Sequence, residues 1–289
     1  MAIITLTTDF GEKDHFAGAI KGAIYSELSD IRIVDVSHSV SPFNISEAAY
    51  IILNAYSSFP KGTIHIIGID SELSPENKHI ALKLDDHYFI CANNGIMSMI
   101  CTEIAPEKIV EINIHDKIET SFPVLDVFVK VACHIARGGT LEIIGKVINT
   151  IKPIKNLIPF VNDEKNQIIG SVIYIDNYGN VVTNIKQKFF EEVQKTRAYE
   201  ISARNHKFKR IYSKYSDIVN FEIEEFKRND EGKGLVVFNS SGYLEIAVYK
   251  SNCTTVGSAS TLMGLKTMDT VTVNFQPTLS PSQREGNLR

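Results

Sequence analysis

The sequence predicts an α/β N-terminal domain, a largely parallel sheet flanked by helices, followed by a smaller, mainly β C-terminal domain. Three observations lead there. Strand and helix periodicities alternate through the first half of the chain. The third strand is apolar on both faces, as a strand covered by helices on two sides must be. Beyond a proline-marked stretch the pattern changes to strands separated by short turns, with one clear helix among them.

Ala2 to Thr7 is short, apolar and β-branched and reads as the first strand. Asp14 to Leu28 places Phe16, Ala19, Ile20, Ala23, Ile24 and Leu28 on one helical face. Ile31 to Val36 is a second strand, and Asn44 and Ser46 are cap candidates for a helix over Ile45 to Tyr56. Thr63 to Ile69 is the third strand. His79 to Leu84 and Tyr88 to Ala92 form a hairpin around Asp85-Asp86, and Val110 to Ile114 is a further strand. Asp126 to Ala136 is a helix ended by Arg137-Gly138-Gly139. Lys152-Pro153 and Ile158-Pro159 mark a linker. Strands then follow at Gln167 to Ile175, Val181 to Ile185, Leu235 to Asn239, Tyr243 to Val248 and Thr270 to Phe275, with a helix at Gln187 to Lys195. The expected division is 1–152 for the α/β domain, 153–165 for the linker, 166–275 for the β-rich domain and 276–289 for a polar tail.

Composition narrows the function. The chain of 289 residues carries a formal net charge of −4 with its basic residues scattered, which argues against nucleic acid as the main partner. The four cysteines, Cys91, Cys101, Cys133 and Cys253, lack CxxC spacing and read as reduced thiols. No uncharged apolar run approaches the roughly 20 residues that cross a bilayer, and the N-terminus reads as a strand, so a cytoplasmic protein without a membrane partner is expected. The eight histidines form no close-spaced ligand pair, which argues against zinc. HExxH, GxSxG, GxxxxGK[ST] and a GxGxxG after a strand are all absent.

Five segments remain as candidates for chemistry. Thr8-Asp9-Phe10-Gly11 closes the first strand, and Asp70 closes the third. In open α/β sheets ligands bind beyond the carboxyl ends of strands, and a carboxylate there can accept both vicinal hydroxyls of a ribose. Asp9 alone is equally readable as a turn-forming Asp, and two acidic strand ends on one sheet rim favour a site over two unrelated loop carboxylates. Ala92-Asn93-Asn94-Gly95 is an Asn-capped turn or a backbone nest. Asp176-Asn177-Tyr178-Gly179-Asn180 combines charge, a flat ring and amide edges, as a nucleobase site needs, and it also reads as a hairpin turn. Asn239-Ser240-Ser241-Gly242-Tyr243 is a turn of small residues whose hydroxyls can hold a carboxylate.

Taken in order, these segments, together with Asp35-Val36-Ser37-His38 and Pro42-Phe43, resemble one family: the S-adenosylmethionine (SAM) hydrolases, or hydroxide adenosyltransferases, with their fluorinating and chlorinating relatives. The resemblance runs from the first strand almost to the tail. It implies SAM as substrate, no separate cofactor, no metal, and a homotrimer with sites shared between subunits. Asp9 would hold the ribose hydroxyls, Phe43 would flank the nucleoside, Tyr178 would stack on adenine and Asn180 would read its edge. Asp176 would pair with the methionine ammonium, Ser240 would bind the carboxylate, and Asp70 would stand beside the nucleophile as the catalytic group.

The departures from the family pattern are as informative as the matches. Seven residues past the Asp, where the hydrolases carry arginine, this chain has Asn77. Where they carry Phe-His-Gly-Arg-Asp it has Phe122-Pro123-Val124-Leu125-Asp126, with Pro123 at the histidine position. Lys78 or His79 would fill the gap if the loop shifts. Three outcomes stay open: hydrolysis of SAM with Asp70 as base, binding of an adenosyl ligand without turnover, and use of a different nucleophile or nucleoside. Halide transfer is disfavoured, because the halogenating relatives replace the Asp70 carboxylate by tyrosine and an anion repels a halide.

Overall fold

The computed structural model describes residues 2–102, 104–114, 120–154 and 158–276. The polar tail expected over 276–289 lies outside the described residues except for Gln276, as does part of the expected linker. The chain divides into two compact units, Met1–Asn156 and Leu157–Arg289.

The first unit is built on a seven-stranded sheet in the order β2-β1-β3-β5-β4-β6-β7. The strands are β1 (Ile3–Thr8), β2 (Arg32–Ser37), β3 (Ile64–Gly68), β4 (His79–Leu84), β5 (His87–Ala92), β6 (Lys108–Ile112) and β7 (Gly145–Ile148). β2, β1, β3 and β5 are mutually parallel, whereas β4, β6 and β7 pair antiparallel. The sheet is therefore mixed, which corrects the expectation of a largely parallel one. The cause is local. Asp85 and Asp86 both take positive φ (48° and 61°), the requirement of a two-residue type I′ turn. That turn folds β4 back antiparallel to the outer side of β5, and β6 and β7 then add antiparallel in succession, so that β6 again runs with β5 and β7 against it.

Alternation along the strands feeds two cores. Ile4, Leu6, Ile64 and Ile66 pack with Ile20 and Ile24 of α1 (Phe16–Glu27) and with α4 (Val129–Ala136). Ile67, Ile69, Leu82 and Phe89 pack on the other face with Ala48, Ala49 and Ile52 of α2 (Ile45–Ala55) and with α3 (Ile96–Ile100). Fully burying a side chain of this size is worth about 1.5–3 kcal/mol, which favours a strand with isoleucine on both faces, such as β3. Asn44 caps α2, its side chain accepting from Glu47 N at 3.1 Å. Ahead of α4 stands one wide π-helical turn, Val124–Phe128.

The second unit is one antiparallel sheet in the order β12-β11-β15-β9-β10-β14-β13. Its strands are β8 (Phe160–Val161), which pairs β9, then β9 (Gln167–Ile175), β10 (Val181–Lys186), β11 (Tyr199–Ala203), β12 (His206–Phe208), β13 (Gly234–Phe238), β14 (Tyr243–Val248) and β15 (Thr270–Phe275). β11 and β12 extend the expected set. Their hairpin turns at Arg204 (φ 51°), and the alternation Tyr199-Glu200-Ile201-Ser202-Ala203 was the available signal. Helix α5 (Gln187–Gln194) buries Phe190 in the core, and the one-turn α6 (Ala259–Leu262) buries Ala259.

All four cysteines are free, with Cys91 and Cys133 buried. Among the described residues, no helix is long and apolar enough to cross a membrane.

Candidate functional site

In the first unit the chain runs β1, α1, β2 to one side of β1 and returns through α2 to β3 on the other side. The carboxyl ends of β1 and β3 thus flank a topological switch point, where α/β sheets leave a crevice. Asp9 and Asp70 stand there, each just past its strand.

Asp9 is half-buried, and its Oδ2 accepts from Phe43 N at 2.8 Å. Burial raises the Asp9 carboxyl above its ordinary value, the Phe43 amide opposes this, and the neighbouring Asp70 charge adds to the rise. Phe43 is 74% exposed and takes φ 61°, a conformation that costs an aromatic residue on the order of 1–3 kcal/mol. Asp70 is also left-handed, with φ 43°. The strain falls on Phe43, since an Asp enters this region more readily than an aromatic residue.

The floor beneath the rim is apolar and tight. A Cβ at Gly68 would lie 3.1 Å from Thr8 Cγ2, 3.1 Å from Val124 Cγ2 and 3.2 Å from Phe10 Cζ. Phe10, Phe16 and Phe122 pack edge to face or tilted at 5.3–5.7 Å between centroids. Pro123 and Val124 are buried, Val124 opening the π-helical turn. The positions where the hydrolases carry histidine and its small neighbour are thus wall, not polar machinery.

A polar chain holds the β1 end from behind. Thr8 Oγ1 and His38 Nδ1 share a hydrogen bond of 2.7 Å, and His38 is 5% exposed. His38 Nε2 lies 3.1 Å from Asp35 Oδ1, an approach too oblique for a full hydrogen bond. Burial alone would raise the Asp35 carboxyl, but the Lys21 hydrogen bond and the close approach of His38 outweigh it and hold the group low. Gly11 N donates to His38 O at 2.7 Å, closing the Asp9 turn.

Around Asp70, Asn94 Nδ2 donates to Ile69 O at 3.0 Å, and Asn77 Nδ2 approaches Asp70 Oδ2 at 3.4 Å. His79, fully buried, pairs through Nε2 with Ser71 O at 2.9 Å and packs on Phe128. Its ring therefore supports the backbone next to Asp70. Lys78 is exposed.

In the second unit, Asp176, Tyr178 and Asn180 share the turn between β9 and β10. The Asp176 carboxylate accepts from Tyr178 N at 2.9 Å, Asn180 N at 2.8 Å and Asn180 Nδ2 at 3.0 Å. Tyr178 is left 64% exposed, and Asn180, 5% exposed, has an Oδ1 with no donor. Gly179 takes φ 73°, and a Cβ there would lie 2.2 Å from Ser258 Oγ. Ser240 is exposed at the tip between β13 and β14, where Asn239 Oδ1 accepts from Ser241 N and Tyr243 N, both at 3.1 Å.

Glu245 supports the Asn239 turn and was not singled out from the sequence. It is 3% exposed, pairs with Val182 across β10 and β14, and receives Tyr215 OH at 2.7 Å and Asn239 Nδ2 at 3.1 Å. Burial raises its carboxyl, the two donors oppose this, and the Asp176 charge raises it further. An acidic residue facing inward in the apolar run Leu244 to Val248 was the visible signal.

Among the described residues, no group of three or more His, Cys, Asp or Glu side chains could hold a metal ion. The family model for the SAM hydroxide adenosyltransferase N-terminal domain matches residues 4–145, and that for the C-terminal domain matches residues 170–272. The chain belongs to the SAM hydroxide adenosyltransferase family. It is 28% identical to an (R)-S-adenosyl-L-methionine hydrolase of Methanocaldococcus jannaschii over 284 residues, covering 94% of this chain and 96% of that protein. A fluorinase of Actinopolyspora mzabensis is 23% identical, with 85% and 90% covered. A crystal structure of an uncharacterized conserved protein from Thermotoga maritima superposes with a TM-score of 0.79 at 28% identity, with 95% and 100% covered. At 28% identity or less to these relatives, this chain is a divergent member of the family.

Proposed function

We propose that the protein hydrolyses SAM to adenosine and L-methionine, with Asp70 as the general base and no separate cofactor. The observation that carries this reading is the match of both family models over a chain whose switch-point strands end in Asp9 and Asp70.

The chemistry suits these residues. Water attacks C5′ in line with sulfur, the C5′–S bond breaks, and its electron pair neutralises the sulfonium as methionine leaves. The water proton passes to Asp70. The departing thioether needs no acid, so an apolar wall of Val124 and Phe10 is sufficient on that side. Alignment and desolvation of the water then carry the rate. Asp9 accepts the ribose hydroxyls, and Phe43 flanks the nucleoside. Tyr178 stacks on adenine, and the Asn180 Oδ1 that lacks a donor accepts from its amino group. Asp176 takes the methionine ammonium and Ser240 the carboxylate. The assembly that goes with this reading is a cytoplasmic homotrimer with sites shared between subunits. The boundaries that go with it are 1–152 and 166–275.

A second reading, binding of the adenosyl ligand without turnover, is favoured by Asn77 and Pro123 at the departed positions. Incubation with SAM and chromatography for adenosine separates the two. Release above the buffer rate supports hydrolysis, while tight calorimetric binding with no product supports the second reading. Sedimentation at monomer mass would remove the trimer.

A further inference from the structure

The position where the family carries arginine holds a neutral amide, yet that amide is not isolated. Lys152 Nζ donates to Asn77 Oδ1 at 2.9 Å, and Asn77 Nδ2 points to Asp70 Oδ2 at 3.4 Å. An amide has one accepting and one donating end. With a cation on its oxygen, the donating end is turned the other way, toward the carboxylate. Lys152 is itself anchored by backbone. Its N–H donates to Asn93 Oδ1 at 2.8 Å, and two residues on Ile154 N–H donates to Ser98 Oγ at 3.1 Å. The strip 152–154 lies so close on the turn after β5 that a Cβ at Gly95 would meet Ile154 Cβ at 3.2 Å. Asn94, in the same turn, holds Ile69 O and approaches Asp70 O at 3.4 Å. One short segment, Asn93 to Ser98, thus fixes both the carboxylate's backbone and the lysine that faces it.

We propose that Lys152 is a positioning residue that orients Asp70 through the Asn77 side-chain amide. The inference rests on the reading of Asp70 as the base. The charge is delivered from a lysine 75 positions after Asn77 in the chain. A residue in direct contact would hold the carboxylate rigidly. The relay leaves Asp70 a long, weak donor contact and so keeps its oxygens available for water.

The test uses the full chain and the variants K152M, K152R, N77L and the double variant K152M/N77L. K152M is expected to lower kcat about tenfold with KM for SAM nearly unchanged, K152R to recover most of it, and the double variant to be no worse than N77L alone. Equal loss in KM, or losses that multiply in the double variant, would overturn the proposal. A readout independent of turnover is the Asn77 side-chain NH₂ signal in two-dimensional NMR, assigned by its disappearance in N77L. It should move in both D70N and K152M and stay in place in K152R; a signal unmoved by K152M overturns the relay. An inactive wild type that shows these amide shifts would refute the hydrolase reading and leave the relay standing.

Discussion

Both units place acidic side chains in turns at strand ends, and they treat them in opposite ways. Asp176 is saturated by its own turn: two backbone amides and the Asn180 amide all donate to one carboxylate. Asp9 receives one backbone amide, and Asp70 only a distant amide contact, on a left-handed backbone. A saturated carboxylate is a rigid part of a scaffold, suited to holding a ligand in place. A carboxylate with spare acceptor capacity can take a ribose hydroxyl or a water proton. Asp9 and Asp70 keep acceptor capacity that Asp176 has already given to its own turn.

The sharpest way to break that comparison is D70N. It keeps shape and removes the base, so adenosine release should fall roughly 10²–10⁴-fold with little change in KM, measured by chromatography at saturating and limiting SAM. An unchanged kcat would put the base elsewhere. Next comes G179A. The added methyl would lie 2.2 Å from Ser258 Oγ on a residue at φ 73°, so the turn must rebuild at a cost of about 1–3 kcal/mol. Calorimetry should show weaker binding of both SAM and adenosine, whereas G11A, where a Cβ meets nothing within 4 Å but φ is 68°, should cost less. Equal effects would mean that the second unit's turn is no more rigid than the first unit's.

How far the sequence carried the reading differs between the units as well. β1, α1, α2 and the β4–β5 hairpin were legible because each has its own periodicity and its own cap or turn, such as Asn44 or Asp85-Asp86. The mixed pairing beyond the hairpin was not, since it depends on β6 joining the free edge of β4 and β7 joining β6. Strand-end placement of Asp9 and Asp70 could be read locally. Lys152 could not, because its approach to Asn77 is made by chain segments far apart in sequence that meet only when β7 joins the sheet. Glu245 was hidden inside a strand of apolar residues, although an inward carboxylate there needs partners and so pointed to Tyr215 and Asn239.

The opposite end of β3 sharpens the contrast by showing a titratable group given no freedom. His65, 3% exposed, bonds Thr5 Oγ1 at 2.7 Å and His87 Nδ1 at 3.2 Å. Burial, and then the His87 charge, push it down from 6.5 to about 3. Its folded value is depressed, so the unfolded chain takes up the proton first. Stability is complete above pH 6.5 and drains away as pH falls toward 3. Between pH 6.5 and 5 the loss should be about 2 kcal/mol, read as a falling urea midpoint, and H65Q should flatten that limb. The smallest effect is N44A. Loss of the cap on α2 should cost about 1 kcal/mol in thermal stability and loosen the neighbouring Phe43 amide that serves Asp9. A cost without any change in ligand affinity would uncouple the helix from the rim.

The missing side chain at position 68 lets the tips of two strands and the entry to α4 close on one point. A Cβ there would press at once on Thr8, Val124 and Phe10, at 3.1, 3.1 and 3.2 Å. Bulk at 68 has to be matched by room given up at more than one of these neighbours. V124A should therefore recover only part of the thermal stability that G68A loses.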